Sequence, residues 1–169
     1  MESVSDSVEG ELPEGRIQGA EAFSDLVRRA LAQAASDRWN HLILSDPDFT
    51  DWPLGERAVI ESLNAWAGGG RHVQLLAKDF GRLRERHPRL VQWRVTWSHV
   101  VDARACRDSS GDAVPSAIWT PRWCMERIDL DRSVVVATSL PQRRAALFER
   151  LQSAWQRGTP SFSASTLGL

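Results

Sequence analysis

Apolar residues in the first half of the chain alternate between helical and strand-like spacing. Helical stripes predict an amphipathic helix over residues 19–36 and a second one over 54–66. Nearly continuous apolar runs at 39–44 and 73–77 are typical of strands that are covered on both faces. Because a strand, a helix and a strand follow one another with short connections, these elements predict a parallel crossover.

The middle of the chain is less regular. His87-Pro88 interrupts an arginine-rich segment, and since proline restricts the preceding residue to extended backbone, we expect a short helix, a kink and a further turn or two. Partial alternation over Gln92–Val101 predicts a third strand. The polar stretch 102–115 then predicts a flexible loop.

Three short strands and a well-marked helix follow. Apolar runs at 117–120, 123–128 and 133–138 predict the strands, and the last two form a hairpin. Ser139-Leu-Pro-Gln142 resembles a capping box, and it predicts a final helix that ends at Gly158.

These elements predict a single α/β domain, a mixed sheet flanked by helices, over residues 16–159. The acidic leader, residues 1–15, is expected to be disordered. The serine-rich tail, residues 160–169, is expected to be flexible, with docking of its apolar residues Phe162, Leu167 and Leu169 on the domain as the less favoured alternative.

Charge is distributed unevenly around a net value of −1. Five of the 22 acids lie in the first 15 residues, so the rest of the chain carries 17 acids against 21 bases. That basic excess is well short of the charge that is typical of nucleic-acid-binding domains. Twenty arginines accompany a single lysine, so any mechanism that requires a lysine depends on Lys78.

The cysteines and the N-terminus indicate the compartment. Cys106 and Cys124 are 18 residues apart with no CxxC motif, so neither a zinc site nor a disulfide framework is supported. The N-terminus is acidic where a signal peptide would be basic, and no apolar run approaches 18 residues. We therefore expect a cytoplasmic protein with reduced thiols, no cofactor and no membrane contact.

The strongest candidate site is the acidic loop that follows the first buried strand. Ligands of open α/β sheets bind beyond the carboxyl ends of strands. The candidate ligand-binding residues are Asp46, Asp48, Asp51 and Trp52 of this loop, together with Arg86, His87 and Arg89 of the basic segment.

The three aspartates have two interpretations. A divalent cation favours several oxygen ligands from such a loop. Aspartate more commonly forms turns and caps helices, so we predict no metal, with Asp51 capping the second helix and Pro53 in its first turn. His87 and His99 are candidates for general acid–base groups, but no serine or cysteine lies in a recognisable nucleophile motif.

Four tryptophans lie near the arginines in sequence. Trp93, Trp97, Trp119 and Trp123 are candidate interface residues, because tryptophan and arginine are enriched at protein–protein hot spots. The same combination also suits stacking on single-stranded nucleic acid. The third interpretation is that these rings fill the core while the arginines are solvated, and the modest net charge favours it over nucleic-acid binding.

Several segments resemble one half of a phospholipase D-like domain. They are Leu42-Ile-Leu-Ser-Asp-Pro-Asp48 followed by an amphipathic helix, Val73-Gln-Leu-Leu-Ala-Lys-Asp79, the segment around His87, and the arginine-rich closing helix before Gly158-Thr-Pro. The chain is most similar to an uncharacterised bacterial branch of that group, whose members occur alone or beside acetyltransferase domains. The resemblance covers roughly residues 20–158. Since half-domains of this group usually pair, it implies a homodimer or a partner protein.

Active members of the group use an H-x-K motif with a downstream aspartate. None of the four histidines, His41, His72, His87 and His99, has a lysine two residues later. At the start of the hairpin, where the group places the motif, this chain has Ser116-Ala-Ile-Trp119. The resemblance implies the fold and argues against the activity.

We therefore predict a non-catalytic binding or interaction domain derived from a phospholipase D-like fold. The alternative is a nucleic-acid or phosphodiester-binding protein with an unrecognised hydrolase activity.

Overall fold

The computed structural model describes residues 11–107 and 114–164, and within them the chain forms eight strands and five helices. The strands are β1 (Gly15–Gln18), β2 (His41–Ser45), β3 (His72–Ala77), β4 (Val101–Ala105), β5 (Ser116–Trp119), β6 (Cys124–Asp129), β7 (Val134–Thr138) and β8 (Thr159–Pro160). The helices are α1 (Ala20–Asp37), α2 (Arg57–Trp66), α3 (Gly81–Arg86), α4 (Pro88–Thr96) and α5 (Pro141–Arg157). None of these helices combines the length and apolar character that a bilayer span requires.

The strands form one mixed sheet in the order β1-β7-β6-β5-β2-β3-β4-β8. β2, β3 and β4 are parallel, and each of the remaining strands pairs with its neighbours in antiparallel fashion. The parallel pairs are joined by helices, as a parallel crossover requires. The predicted single α/β domain with a mixed sheet is confirmed.

The two faces of the sheet are covered unequally. On one face α1, α2 and α4 pack into the larger core, through side chains such as Phe23, Leu63 and Trp93. On the other face α5 packs Leu147 and Leu151 against β2, β3 and β5, and Cys124 is the one residue of β6 in this apolar cluster. The part of this second face that belongs to β6 and β7 therefore lies beside α5 and not beneath it.

The predicted third strand over Gln92–Val101 is wrong. Pro88 occupies the first turn of α4, where its missing N–H costs nothing, and the helix continues to Thr96 before β4 begins at Val101. Leu90 and Trp93 are buried at helical spacing, so the alternation of aromatic residues was coincidental. The predicted loop over 102–115 accordingly begins too early, since its first four residues belong to β4, and residues 108–113 lie outside the described ranges.

The predicted capping box at the start of the final helix does not form. α5 begins at Pro141 with Leu140 at the cap position and no side-chain cap. The Ser139 hydroxyl instead donates a hydrogen bond to the Glu14 carboxylate over 2.9 Å. That hydrogen bond holds the chain preceding β1 against the end of β7, and together with the Ser139 backbone N–H it lowers the pKa of Glu14.

Short segments on either side of residues 16–159 also pack on the domain. At the N-terminal side Gly15 already pairs with Ala137 in the sheet, and residues 1–10 lie outside the described ranges. At the C-terminal side Phe162 is 2% exposed, stacks on Phe80 at 5.2 Å between ring centroids and accepts a hydrogen bond from Arg94 at its carbonyl. The tail as far as Phe162 is therefore part of the folded domain.

Replacing Phe162 with alanine tests this docking. We expect Phe162→Ala to lower the free energy of unfolding by about 3 kcal/mol, the usual cost of truncating a buried aromatic ring. Urea unfolding measures the change, with the exposed Thr159→Ala as the matched control. A loss no larger than that of the control would contradict a docked tail.

Candidate functional site

The acidic loop begins where β2 ends, at the carboxyl edge of the parallel strands. Asp46 is the first residue after β2 and its carboxylate is buried. Its Oδ2 atom accepts hydrogen bonds from the backbone N–H groups of Asp48 (3.1 Å) and Phe49 (2.8 Å). These bonds hold a tight turn in which Phe49 takes the left-handed conformation, with φ 58°.

An arginine from the antiparallel half of the sheet fills the space in front of this turn. Arg127 lies on β6 opposite Ser116 of β5, and β5 pairs with β2, so the Arg127 side chain extends across the sheet toward Asp46. Its Nη2 atom lies 3.0 Å from Asp46 Oδ1. The same guanidinium forms a bidentate pair with Asp51, at 2.6 Å from Nη1 and 3.0 Å from Nη2.

The rest of the Arg127 side chain also has partners. Nε donates to the Ser116 hydroxyl at 3.1 Å, and the guanidinium carbon lies 4.1 Å from the ring centroid of Phe23 on α1. The Arg127 side chain is 1% exposed. Burial lowers the pKa of Arg127, but the hydrogen bonds and charges of Asp51 and Asp46 outweigh it, so the pKa is raised and the charge is retained.

Further contacts fix the rest of the acidic loop. His87 Nε2 lies 2.9 Å from the carbonyl oxygen of Phe49, and Arg89 donates to the carbonyl oxygen of Gly55 over 2.8 Å. Arg28 of α1 forms a bidentate pair with Glu56 at 2.7 and 2.8 Å. The loop is thus held from three sides, by α1, by β6 and by the α3–α4 junction.

The structure brings most of the predicted ligand-binding residues together, but it gives them internal partners. Asp46 and Asp51 bind Arg127, so the prediction that Asp51 caps the second helix is wrong: α2 begins at Arg57, well after Pro53. Trp52 is buried and packs edge-on against Phe23 and Phe49, with ring centroids 5.5 and 4.9 Å apart.

The candidate residues of the basic segment differ in their surroundings. His87 is buried and serves the loop, and the exposed Arg89 donates to a loop carbonyl. Arg86 is exposed on α3, and His99 is exposed beyond the end of α4. His87 and His99 therefore do not form a common acid–base site.

A polar groove remains outside the closed loop. Its volume is about 570 Å³, and it is lined by Pro47, Asp48, Lys78, Asp79, Gly81, Arg82 and Glu85. Three carboxylates face two cations there, so the groove has no strong preference for a phosphate. Within the described ranges no set of three histidine, cysteine, aspartate or glutamate side chains is arranged to hold a metal ion.

The four tryptophans do not form one surface. Trp93 and Trp123 are buried in the core, so neither ring can meet a partner, and for these two the core interpretation applies. Trp97 packs beside the larger core and donates to Asn64 over 3.1 Å, whereas Trp119 packs on the opposite face of the sheet and donates to the Arg144 carbonyl.

Arg127 is the residue that the sequence analysis missed. The sequence pattern could have indicated it. In the predicted strand 123–128, Met125 and Arg127 are two residues apart and so lie on the same face, which places the arginine on the buried side of a core strand. A buried charge requires a partner, and the acidic loop is the obvious supplier.

A second polar cluster lies at the amino ends of the parallel strands. The rings of His41 and His72 stack with centroids 5.4 Å apart. His41 Nε2 lies 2.7 Å from Gln74 Oε1, and His72 Nε2 lies 2.8 Å from the Asp102 carboxylate. Burial lowers the pKa of His41, the charge of His72 lowers it further, and the Gln74 contact opposes both.

No protein-family model and no curated protein matches the sequence. Among solved structures, the chain is similar to NucT from Helicobacter pylori, with a TM-score of 0.60 and 10% identity over 89% of this chain and 100% of that one. It is also similar to Nuc from Salmonella typhimurium, a phospholipase D family member, with a TM-score of 0.53 and 12% identity over 86% and 97% of the two chains.

A third similar structure is TrmBL2, an archaeal chromatin protein described as showing a novel mode of DNA binding. The TM-score is 0.63 with 12% identity, and the match covers 94% of this chain but only 57% of TrmBL2. Identities this low establish the fold alone. The chain has a phospholipase D-like fold, as the sequence resemblance implied.

Replacing Arg127 tests the role assigned to the buried cluster. We expect Arg127→Met to lower the free energy of unfolding by about 3–5 kcal/mol, because it leaves buried Asp46 without its countercharge. Asp51→Asn is expected to cost about 1 kcal/mol or less, since the Asp51 side chain is 55% exposed and water replaces the lost pair. Denaturant unfolding measures both, with exposed Arg132→Met as the control. Equal losses at Arg127 and Arg132 would refute the assignment.

The histidine cluster predicts a pH dependence of stability. The folded-state pKa of His41 lies below its unfolded value of 6.5, so the unfolded chain binds the proton more readily. The contribution of His41 to stability is therefore complete above that value and is lost as the pH falls toward the folded-state pKa. Unfolding curves at neutral and mildly acidic pH should show a smaller acid-induced loss in His41→Gln than in wild type. His99→Gln is the control, and an unchanged slope in His41→Gln would contradict the prediction.

Proposed function

We propose that the protein is a non-catalytic binding domain that acts through contact with protein, in the cytoplasm, either as a homodimer or with a partner. The observation that carries the proposal is the cluster of Arg127 with Asp46 and Asp51. It occupies the carboxyl edge of the parallel strands, where a ligand of this fold class would bind.

The chemistry of that edge supports the same conclusion. A group that stabilises a phosphoryl transition state needs donors aimed at the reacting phosphate. Arg127 directs its donors to Asp46, Asp51 and Ser116. The Ser45 hydroxyl donates to the Pro115 carbonyl over 2.6 Å, so neither nearby serine is presented as a nucleophile with an adjacent base.

A second candidate function is phosphodiester binding along α3. Arg82, Arg84 and Arg86 are exposed on this helix, and Arg82 lines the polar groove. The similarity to a DNA-binding chromatin protein is a further reason to test it. Against it, the Arg84 guanidinium stacks on the Phe162 ring at 4.8 Å and three carboxylates line the same groove.

A hydrolysis assay tests the proposed function. We expect the purified protein to show no turnover of bis(p-nitrophenyl) phosphate, of single-stranded DNA or of phospholipid vesicles above the buffer rate, with and without added Mg²⁺. Turnover that disappears in His72→Ala or Lys78→Ala would overturn the proposal. These residues are the histidine that begins β3 and the lysine that directly follows it.

Binding of a labelled single-stranded oligonucleotide at low ionic strength separates the two candidates. The proposal predicts weak binding that changes less than about twofold in Arg86→Ala, as for a solvated surface charge. Arg57→Ala, an exposed arginine on α2, is the control. Tight binding that Arg86→Ala weakens selectively would instead favour the phosphodiester-binding function.

A further inference from the structure

An apolar groove runs between α5 and the two strands that this helix leaves uncovered. Its volume is about 300 Å³. Ile128 and Val136 form its floor on β6 and β7, and Ala146 and Leu147 form its wall on α5. The groove lies on the opposite face of the sheet from α1 and α2, and it does not include the Arg127 cluster.

The large apolar side chains that stay exposed in the described part of the chain flank this groove. Ile128 is 57% exposed at one end, with Leu130 (49%) in the adjoining hairpin turn. Leu140 is 55% exposed at the other end, where the chain passes from β7 into α5. Apolar residues grouped around a groove, and not scattered over the surface, are typical of an interaction site.

The groove has the dimensions of a helix site. The residues of α5 that line it extend from Arg143 to Arg150, about 10 Å along the helix axis. Neighbouring strands lie about 5 Å apart, so β6, β7 and β1 together offer a width close to the diameter of one helix. A second helix laid beside α5 would cover this part of the sheet as α1 and α2 cover the other face.

Charge indicates what kind of helix fits. α5 contains four arginines and one glutamate, and Arg143 and Arg150 line the groove. Arg150 is paired with Glu126 across the groove wall at 2.7 and 2.8 Å, and Arg16 of β1 lies beside Val136 in the sheet. Glu126 offsets the charge of one of the two arginines, so the lining keeps an excess of positive charge on the α5 side, and an occupant with carboxylates on that side gains favourable electrostatic contact.

The same charges disfavour a second copy of this chain as the occupant. In a two-fold symmetric contact the same patch faces itself. Each copy would then bring Arg143, Arg150 and Glu126 against the same set of residues, and the net positive charges of the two patches repel each other.

We infer that the groove between α5 and the β6–β7 hairpin binds an acidic amphipathic helix of a partner protein. Apolar side chains of the partner helix at positions i, i+3 or i+4 and i+7 enter the groove and pack against Ile128 and Val136, as in helix-in-groove recognition. The acidic side of the partner helix faces the α5 wall at Arg143, away from the hairpin turn that contains Asp129 and Asp131. This inference rests on the proposed function and specifies the partner class.

Selection from a random peptide library displayed on phage tests the inference. The library is selected on the wild-type protein and counter-selected on the double variant Ile128→Asp/Arg143→Glu. We expect the enriched peptides to carry net negative charge and large apolar residues at helical spacing. Fluorescence anisotropy of the best labelled peptide should then show roughly tenfold weaker binding to Ile128→Asp, the loss expected for one interface anchor.

Matched variants show whether the change in peptide affinity is specific to the groove. Arg143→Glu should weaken the same peptide more at low than at high salt, whereas Arg57→Glu, the same charge change on the far side of the sheet, should leave its affinity unchanged. Unaltered thermal unfolding of each variant excludes misfolding as the cause.

Three outcomes would overturn the inference. They are no enrichment over the double variant, enrichment of basic or neutral peptides, and affinity that Ile128→Asp does not change. Sedimentation velocity adds a fourth: if wild type is a dimer and Ile128→Asp is a monomer, the occupant is a second copy. None of these outcomes bears on the hydrolysis assay, so failure of this inference is distinguishable from failure of the proposed function.

Discussion

The pairing of one buried guanidinium with two carboxylates closes the carboxyl edge of the parallel strands in this domain. A charge in the protein interior is tolerated only when countercharges and hydrogen bonds replace its water. Arg127 obtains them from Asp46, Asp51 and Ser116, and it rests on the ring of Phe23. The need to neutralise this one side chain therefore ties the acidic loop, the antiparallel hairpin and α1 to one another.

Proteins of similar fold include a phospholipase D family member and a DNA-binding chromatin protein, and a shared fold does not fix a shared activity. In this chain the carboxyl edge of the parallel strands is used to stabilise the domain. Surfaces elsewhere are then the natural place for function, and the most distinctive of them is the apolar groove beside α5 with its basic wall.

The sequence predicts the architecture better than it predicts the site. Periodicity places α1, β2 and β3 within one or two residues of their observed limits, because the core covers each of them in the way its pattern requires. It fails over Gln92–Val101, where aromatic residues at alternate positions imitate a strand within helix α4. The local sequence pattern cannot distinguish a strand from a helix when the same bulky residues fit both the two-residue period of a strand and the 3.6-residue period of a helix.

The site depends on contacts that no local pattern records. Asp51 has the spacing of a helix cap, yet its partner is Arg127, 76 residues away in sequence. Trp123 belongs to a residue type that is enriched at interfaces, yet its ring lies in the core and its Nε1–H donates to the carbonyl of Pro13. The sequence identifies residues that bind something; only the topology of the sheet determines that they bind one another.

The most direct test of this account is to observe the Arg127 Nε–H proton by NMR while phosphate ligands are added. The account predicts a resonance protected from solvent exchange that does not shift with inorganic phosphate, dimethyl phosphate or a single-stranded oligonucleotide. A saturable shift of that resonance, or its exposure to solvent exchange when a ligand binds, would contradict the claim that the ion cluster closes this edge of the sheet.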